Sequence, residues 1–156
     1  MTVAPATLVF RDATEADLPA IVAMLADDHL GAAREDASLP LHPGYLAAFR
    51  AIAADPNQRL VVAARGGEVV GTMQLSFLPG LSKKGAWRGQ VEAVRIAAPC
   101  RGQGLGAAMM RWAVEACRAR GCATVQLTTD KSRKAAHRFY DRLGFKASHE
   151  GYKLSL

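Results

Sequence analysis

The chain predicts a mixed α/β fold, with a central, mostly antiparallel sheet of about seven strands and about four helices on its faces. Three observations carry this. Apolar residues alternate with period two in several short β-rich runs and recur with helical spacing in longer ones. Glycine-rich or Asp-Pro-Asn punctuation separates many of these runs. The 156 residues hold no internal repeat, low-complexity tract or dividing linker, so one domain spanning 1–156 is expected.

Taken in order, Leu8-Val9-Phe10-Arg11 reads as a short first strand. Thr14 followed three residues later by Asp17 is a helix-start pattern, and Leu18, Ile21, Val22, Met24 and Leu25 carry that helix to about Asp28. Gly31 to Pro43 mixes glycine, proline and charge and reads as a loop. Tyr45 to Ala54 is a second helix, ended by Asp55-Pro56-Asn57. Arg59 to Ala64 and Val69 to Leu78 are strands joined by the hairpin turn Arg65-Gly66-Gly67-Glu68. After a basic connection, Pro79 to Gly85, Val91 and Ala93 alternate against Glu92, Val94 and Ile96, which marks Gln90 to Ala97 as a central strand. Gly104 to Arg120 is an amphipathic helix with Leu105, Ala108, Met109, Trp112 and Ala116 on one face, stopped by Gly121. Ala123 to Thr128 is another strand and Ser132 to Leu143 a helix ended by Gly144. Phe145 to Leu156 can form a final hairpin through Glu150-Gly151.

Composition narrows the function classes. No apolar run approaches the roughly 20 residues needed to span a bilayer, and Met1 to Phe10 lacks the basic start and long apolar core of a secretory leader. A cytoplasmic protein without membrane partners is the expectation. Cys100, Cys117 and Cys122 are odd in number and match no zinc spacing, so neither a disulfide framework nor a metal site is expected. Charge is unevenly spread. Residues 1–80 carry five Lys/Arg against nine Asp/Glu, and residues 81–156 carry fifteen against five. The basic half suits an anionic ligand. Its lysines and arginines are not interleaved with the aromatics that a single-strand nucleic-acid surface uses, which favours a phosphate-bearing small molecule over nucleic acid.

The informative segment is Val91-Glu92-Ala93-Val94-Arg95-Ile96-Ala97-Ala98-Pro99-Cys100-Arg101-Gly102-Gln103-Gly104-Leu105-Gly106. A strand runs into a glycine-rich turn that opens a long helix. Glycines let backbone amides approach a ligand, and the first amides of a helix point at an anion, aided by the helix dipole. Gly102, Gly104 and Gly106 are spaced Gly-x-Gly-x-Gly, which is neither the dinucleotide Gly-x-Gly-x-x-Gly nor a P-loop ending in Gly-Lys-Ser/Thr.

Arg-x-x-Gly-x-Gly in this strand–turn–helix setting resembles the pyrophosphate-binding signature of the GNAT acetyltransferase superfamily. Thr14-Glu15-Ala16-Asp17 is similar to the family's first helix start, and Phe139-Tyr140-Asp141-Arg142-Leu143-Gly144-Phe145 to its C-terminal segment. The resemblance implies a sheet splayed after the central strand and acetyl-CoA as co-substrate with no metal. It implies that the backbone of Val94, Arg95 and Ile96 pairs with the pantetheine arm. The amides of Arg101, Gly102, Gln103, Gly104, Leu105 and Gly106 would hold the pyrophosphate, with Arg101 adding charge. A backbone cradle leaves the Gln103 side chain loosely specified and lets Leu105 pack inward.

By the same resemblance Tyr140 is the general acid that reprotonates the CoA thiolate. A phenol suits that task, since the reference pKa values of phenol and thiol lie within about two units; a core tyrosine is the competing reading. Glu92 is the candidate general base, two residues before Val94, because an amine must lose a proton to attack a thioester. A plain salt bridge to a nearby arginine competes with that role, and His137, His149 and Asp130 are rival bases. Seven residues before the tyrosine, where the family often carries asparagine, this chain has Arg133, which can instead reach a cofactor phosphate or, with Lys131 and Lys134, form a solvated basic face. The acceptor is expected to be a primary amine of a small molecule or peptide, attacking directly in a ternary complex. Family pattern places its pocket at Asp27 to Tyr45, Pro79 to Arg88 and Ser148 to Tyr152. There Asp27, Asp28, Glu35 and Asp36 can attract a cation or simply form a solvated acidic surface, and Trp87 can stack or fill the core. Dimerisation is common in the family. A non-catalytic acyl-CoA-binding regulatory module and a basic nucleic-acid-binding protein are the alternative functions.

Overall fold

The computed structural model of the chain describes residues 7–156. The start of the segment considered for a leader therefore lies outside the described residues. The chain divides into two compact units, one ending at Gln126 and the other Leu127–Leu156.

The first unit is built on one open sheet of strands β1 (Leu8–Asp12), β2 (Gln58–Arg65), β3 (Glu68–Leu78), β4 (Trp87–Ile96) and β5 (Cys122–Leu127), in that spatial order. The pairs β1–β2, β2–β3 and β3–β4 are antiparallel. Helices α1 (Leu18–Ala26) and α2 (Pro43–Ala54) cover one face, and α3 (Leu105–Ala119) covers the other. The mixed, mostly antiparallel α/β class is as the sequence predicts, with five strands among the described residues where about seven were expected.

Alternation explains the two cores. Val62 on β2 meets Leu18 and Ile21 of α1, with Leu46, Phe49 and Leu60 packed around them. On the opposite face Met73, Leu75, Phe77 and Val91 are buried with Met109, Met110, Ala113 and Cys117 of α3. Each Val, Leu, Ile, Phe or Met side chain fully removed from water contributes about 1.5–3 kcal/mol. The approach of α3 is closest at Gly89, where a β-carbon would collide with Cys117 Sγ. Burial pushes the Cys117 thiol up to about 11, with Cys122 beside it adding to the shift, so it is an inert core group. Trp112 of α3 stacks on Phe10 of β1, with ring centroids 5.6 Å apart.

Local caps set the helix starts. Asp17 accepts hydrogen bonds from the Thr14 amide at 2.8 Å and hydroxyl at 3.1 Å, and pairs with Arg11 at 2.7 Å. The His42 ring accepts the Gly44 amide at 3.1 Å to open α2. The basic connection after β3 contains a left-handed turn, Ser82–Gly85, with Lys83 and Lys84 at φ 54 and 61.

Two sequence expectations need correction. Strand alternation does not run unbroken through β4. Gln74 pairs with Glu92 but Thr72 with Arg95, so Ala93 and Val94 together oppose Met73. Ala93 sits at φ 52, and this bulge resets the alternation. Arg95 thereby joins the face of Glu92, and Ile96 returns to the α3 face beside Met109.

The second correction concerns the chain end. The second unit holds α4 (Lys134–Arg142), and residues 145–156 form no strand. A strand exists through its ladder partner, and no ladder is formed here. Tyr152, Leu154 and Leu156, in the segment expected to form the final hairpin, are exposed.

Candidate functional site

The strand β4, the turn after it and the start of α3 form one continuous structure. A short 3-10 turn, Ala98–Cys100, follows Ile96, and α3 begins at Leu105. Gly102 and Gly104 have φ 75 and 77, the left-handed region that a residue with a β-carbon avoids. A β-carbon at either would meet no atom within 4 Å, so the glycines leave open approach to the backbone rather than relieve an internal clash. The first bond into α3 runs from the Ala108 amide to the Gly104 carbonyl at 3.1 Å. The amides of Leu105, Gly106 and Ala107 precede it and stand at the positive end of a 15-residue helix. No side chain caps that end. These donors fit a pyrophosphate.

Side chains around the turn are more engaged than the sequence suggests. Gln103 donates to the Pro99 carbonyl at 3.1 Å and accepts from Arg65 at 3.0 Å, bracing the turn to the β2–β3 hairpin. Leu105 is buried, as expected. Arg101 donates to the Ile96 carbonyl at 3.2 Å and to the Asp27 carboxylate at 2.9 Å. Arg95, carried to the other face by the bulge, pairs with Asp28 at 3.2 Å and donates to the Val94 carbonyl at 2.9 Å. Asp28 also accepts the Leu30 and Gly31 amides, at 2.9 and 2.5 Å.

Of the four acids considered for attracting a cation, two are paired with arginines of the protein and two accept from neutral donors. Asp27 and Asp28 tie the end of α1 to the turn and to β4. Glu35 accepts the Tyr45 hydroxyl at 2.9 Å, and Asp36 accepts the Ser38 hydroxyl at 2.5 Å and its amide at 3.0 Å. Glu92 is different. It is exposed on β4 opposite Gln74, and among the described residues it has no ion-pair partner. The competing salt-bridge reading of Glu92 therefore finds no arginine.

Tyr140 and Arg133 belong to the second unit. Tyr140 is half-buried on α4, edge-on to Phe139 and Phe145 with centroids 5.1 and 5.9 Å apart. Arg133 is half-buried at the start of α4, its amide donating to the Asp130 carbonyl at 3.0 Å. Among the rival bases, the Asp130 carboxylate accepts the Ser132 amide and hydroxyl, at 2.9 and 2.6 Å. The His137 ring lies 2.9 Å from the Asp130 carbonyl, and His149 Nδ1 is 2.8 Å from the Ser148 hydroxyl. Among the described residues no group of three His, Cys, Asp or Glu could hold a metal ion, and no helix is long and apolar enough to cross a membrane.

Known proteins resemble much of the chain. The model of the Acetyltransferase (GNAT) family matches residues 20–145. An aminoalkylphosphonate N-acetyltransferase of Salmonella typhimurium is 39% identical over 101 residues, covering 65% of this chain and 65% of that protein. That match spans just under two thirds of the relative's length. A solved structure described as a transcriptional regulator of Bacillus halodurans C-125 is 49% identical, with a TM-score of 0.93 over 96% of this chain and 100% of the other. An acetyltransferase of Trypanosoma brucei is 28% identical, with a TM-score of 0.77 over 96% and 100% of the two chains.

Proposed function

Since the chain belongs to the acetyltransferase (GNAT) family, a family of acyltransferases that use acetyl-CoA, we propose that it moves an acetyl group from acetyl-CoA to a primary amine by direct attack in a ternary complex. The observation that most supports this reading is the continuous course from exposed Glu92, through the Ala93 bulge, to the donor-rich turn opening α3. In the proposed roles, the amides of Arg101 to Gly106 hold the pyrophosphate. Arg101, held between Asp27 and the Ile96 carbonyl, fixes the entrance of the turn and lends it positive charge. The β4 backbone at Val94, Arg95 and Ile96 runs beside the pantetheine arm, and Arg133 reaches a cofactor phosphate. Glu92 accepts the amine's proton, directly or through water, and an amide at Val94 or Ile96 polarises the thioester carbonyl. Nitrogen attacks the carbonyl carbon, the carbon–sulfur bond breaks, and Tyr140 returns a proton to the CoA thiolate.

The acceptor is a small molecule or a peptide. The Salmonella relative is by name an aminoalkylphosphonate N-acetyltransferase, so aminoalkylphosphonates head the amines to be tried. The test is CoA-thiol release from acetyl-CoA across primary amines, aminoglycosides and peptides, with the acetylated product identified by mass. Amine-dependent thiol release with one acetamide per thiol is expected. A second reading, a non-catalytic acyl-CoA-binding regulatory module, is supported by the description of the Bacillus halodurans relative as a transcriptional regulator. It predicts acetyl-CoA binding with no thiol release for any amine, and that outcome would overturn the first reading.

A further inference from the structure

Ahead of the bulge, β4 alternates strictly, and Gly89 and Val91 face α3. Arg88, Gln90 and Glu92 therefore share the opposite face. The register extends this face sideways. Gln58 of β2, Ser76 of β3 and Gln90 of β4 lie directly opposite one another in one row. Gln126 of β5 continues the row, donating to Gln90 Oε1 at 2.7 Å. A sheet face covered only by helices would carry apolar side chains here; this row is polar across four strands.

Its hydrogen bonds have a direction. Gln58 Oε1 accepts the Ser76 hydroxyl at 2.7 Å and the Gln74 side-chain NH2 at 3.2 Å, so the oxygen is used and its own NH2 group is left to donate. Gln90 Oε1 is likewise used, by Gln126. Among the described residues neither nitrogen has an acceptor, so the row presents donors. Next along β4 is Arg88, half-buried, opposite Leu78, and without a carboxylate partner among the described residues. Its guanidinium lies by Gly80, in the connection that also carries Lys83 and Lys84. Residues 69–91 contain these three cations and no acid. Donors with a fixed cation suit oxyanions, and a guanidinium binds them through paired N–H groups.

We propose that this row is the acceptor's specificity floor, and that it selects primary amines bearing an oxyanion at the end away from the amine. The proposal rests on the acetyl-transfer reading, which puts the amine at Glu92. Glu92 and Arg88 are four strand residues apart, about 13 Å between Cα atoms, and their own side chains span much of that distance. A short aliphatic amine ending in phosphonate, carboxylate or sulfonate bridges the rest, with its ammonium drawn to Glu92 and its oxyanion to Arg88 and the free NH2 groups of Gln90 and Gln58.

The test compares 2-aminoethylphosphonate, β-alanine and taurine with ethanolamine as acceptors, in wild type and in the Arg88→Gln and Arg88→Lys variants. In wild type kcat/KM is expected to favour the oxyanion-bearing amines by about tenfold or more, the scale of one charge-assisted contact. The ranking among the three identifies which oxyanion is preferred. Arg88→Gln is expected to collapse that ratio through KM, and Arg88→Lys to restore part of it. A wild-type ratio near one, or a ratio unchanged by Arg88→Gln, overturns the proposal and leaves the acetyl-transfer reading standing. If no amine is turned over, that reading falls instead. Calorimetric titration of 2-aminoethylphosphonate in the presence of CoA then decides the floor: binding that weakens in Arg88→Gln upholds it, and no binding overturns it.

Discussion

Tyr140 packs edge-on between Phe139 and Phe145, so replacing it with phenylalanine removes one hydroxyl and keeps the ring contacts. If the phenol delivers the proton to the CoA thiolate, Tyr140→Phe lowers kcat by about 100-fold or more while the KM for acetyl-CoA stays near wild type. Unchanged turnover in steady-state kinetics would leave Tyr140 a packing residue. Asp17 makes a prediction about stability. The hydrogen bond from Arg11, opposed by burial and reinforced by the Thr14 amide and hydroxyl, lowers its pKa from 3.8 to about 2. Because the folded value lies below the unfolded one, the carboxylate's contribution is complete above about pH 4 and is lost as pH falls toward 2. A lowering of that size corresponds to roughly 2 kcal/mol. Urea unfolding measured from pH 6 to pH 2 should show this loss in wild type and a flatter profile in Asp17→Asn. Parallel profiles would contradict the assignment.

At the scale of elements, the turn before α3 separates folding from binding. Ala in place of Gly104 would sit at φ 77 with open space around its β-carbon. The penalty in the free protein is then conformational alone, about 1–2 kcal/mol. A bound pyrophosphate would meet the new methyl group directly. Gly104→Ala is therefore expected to shift the unfolding midpoint by a few degrees and to raise the KM for acetyl-CoA by about tenfold. A stability change without any change in that KM would remove the turn from the cofactor site. Gly89→Ala gives the reverse pattern. Its methyl group would collide with Cys117 inside the β4–α3 core, costing about 1–3 kcal/mol by overpacking, and the KM for acetyl-CoA in the folded fraction should be unchanged.

Across the molecule, what the sequence makes legible is what local physics determines. Thr14 and Asp17 announce α1, the Arg65–Glu68 turn announces the β2–β3 hairpin, and the glycine-rich turn announces α3, because caps and turns act over a few residues. The bulge at Ala93 has no such signature. Alanine does not prefer φ 52, and the pairing with β3 is what holds it there. The reversal of Arg95 onto the face of Glu92 was hidden with it. Contacts between distant residues were equally silent. Asp27 and Asp28 read equally as a lure for a cationic amine and as a solvated acidic surface, and the fold sets Arg101 and Arg95 against them instead. The Glu150-Gly151 turn suggested a final hairpin, but a turn signal supplies no ladder partner, and Tyr152, Leu154 and Leu156 stay exposed. Among the candidate site residues, those of the turn and β4 stand in one continuous structure and Tyr140 in the second unit. The most direct test supplies acetyl-CoA and 2-aminoethylphosphonate to the purified protein and follows free CoA thiol and N-acetylated amine together. The account predicts that both rise in equal amounts and only when enzyme and amine are present. Binding of acetyl-CoA with no thiol released from this amine or any other primary amine would contradict it.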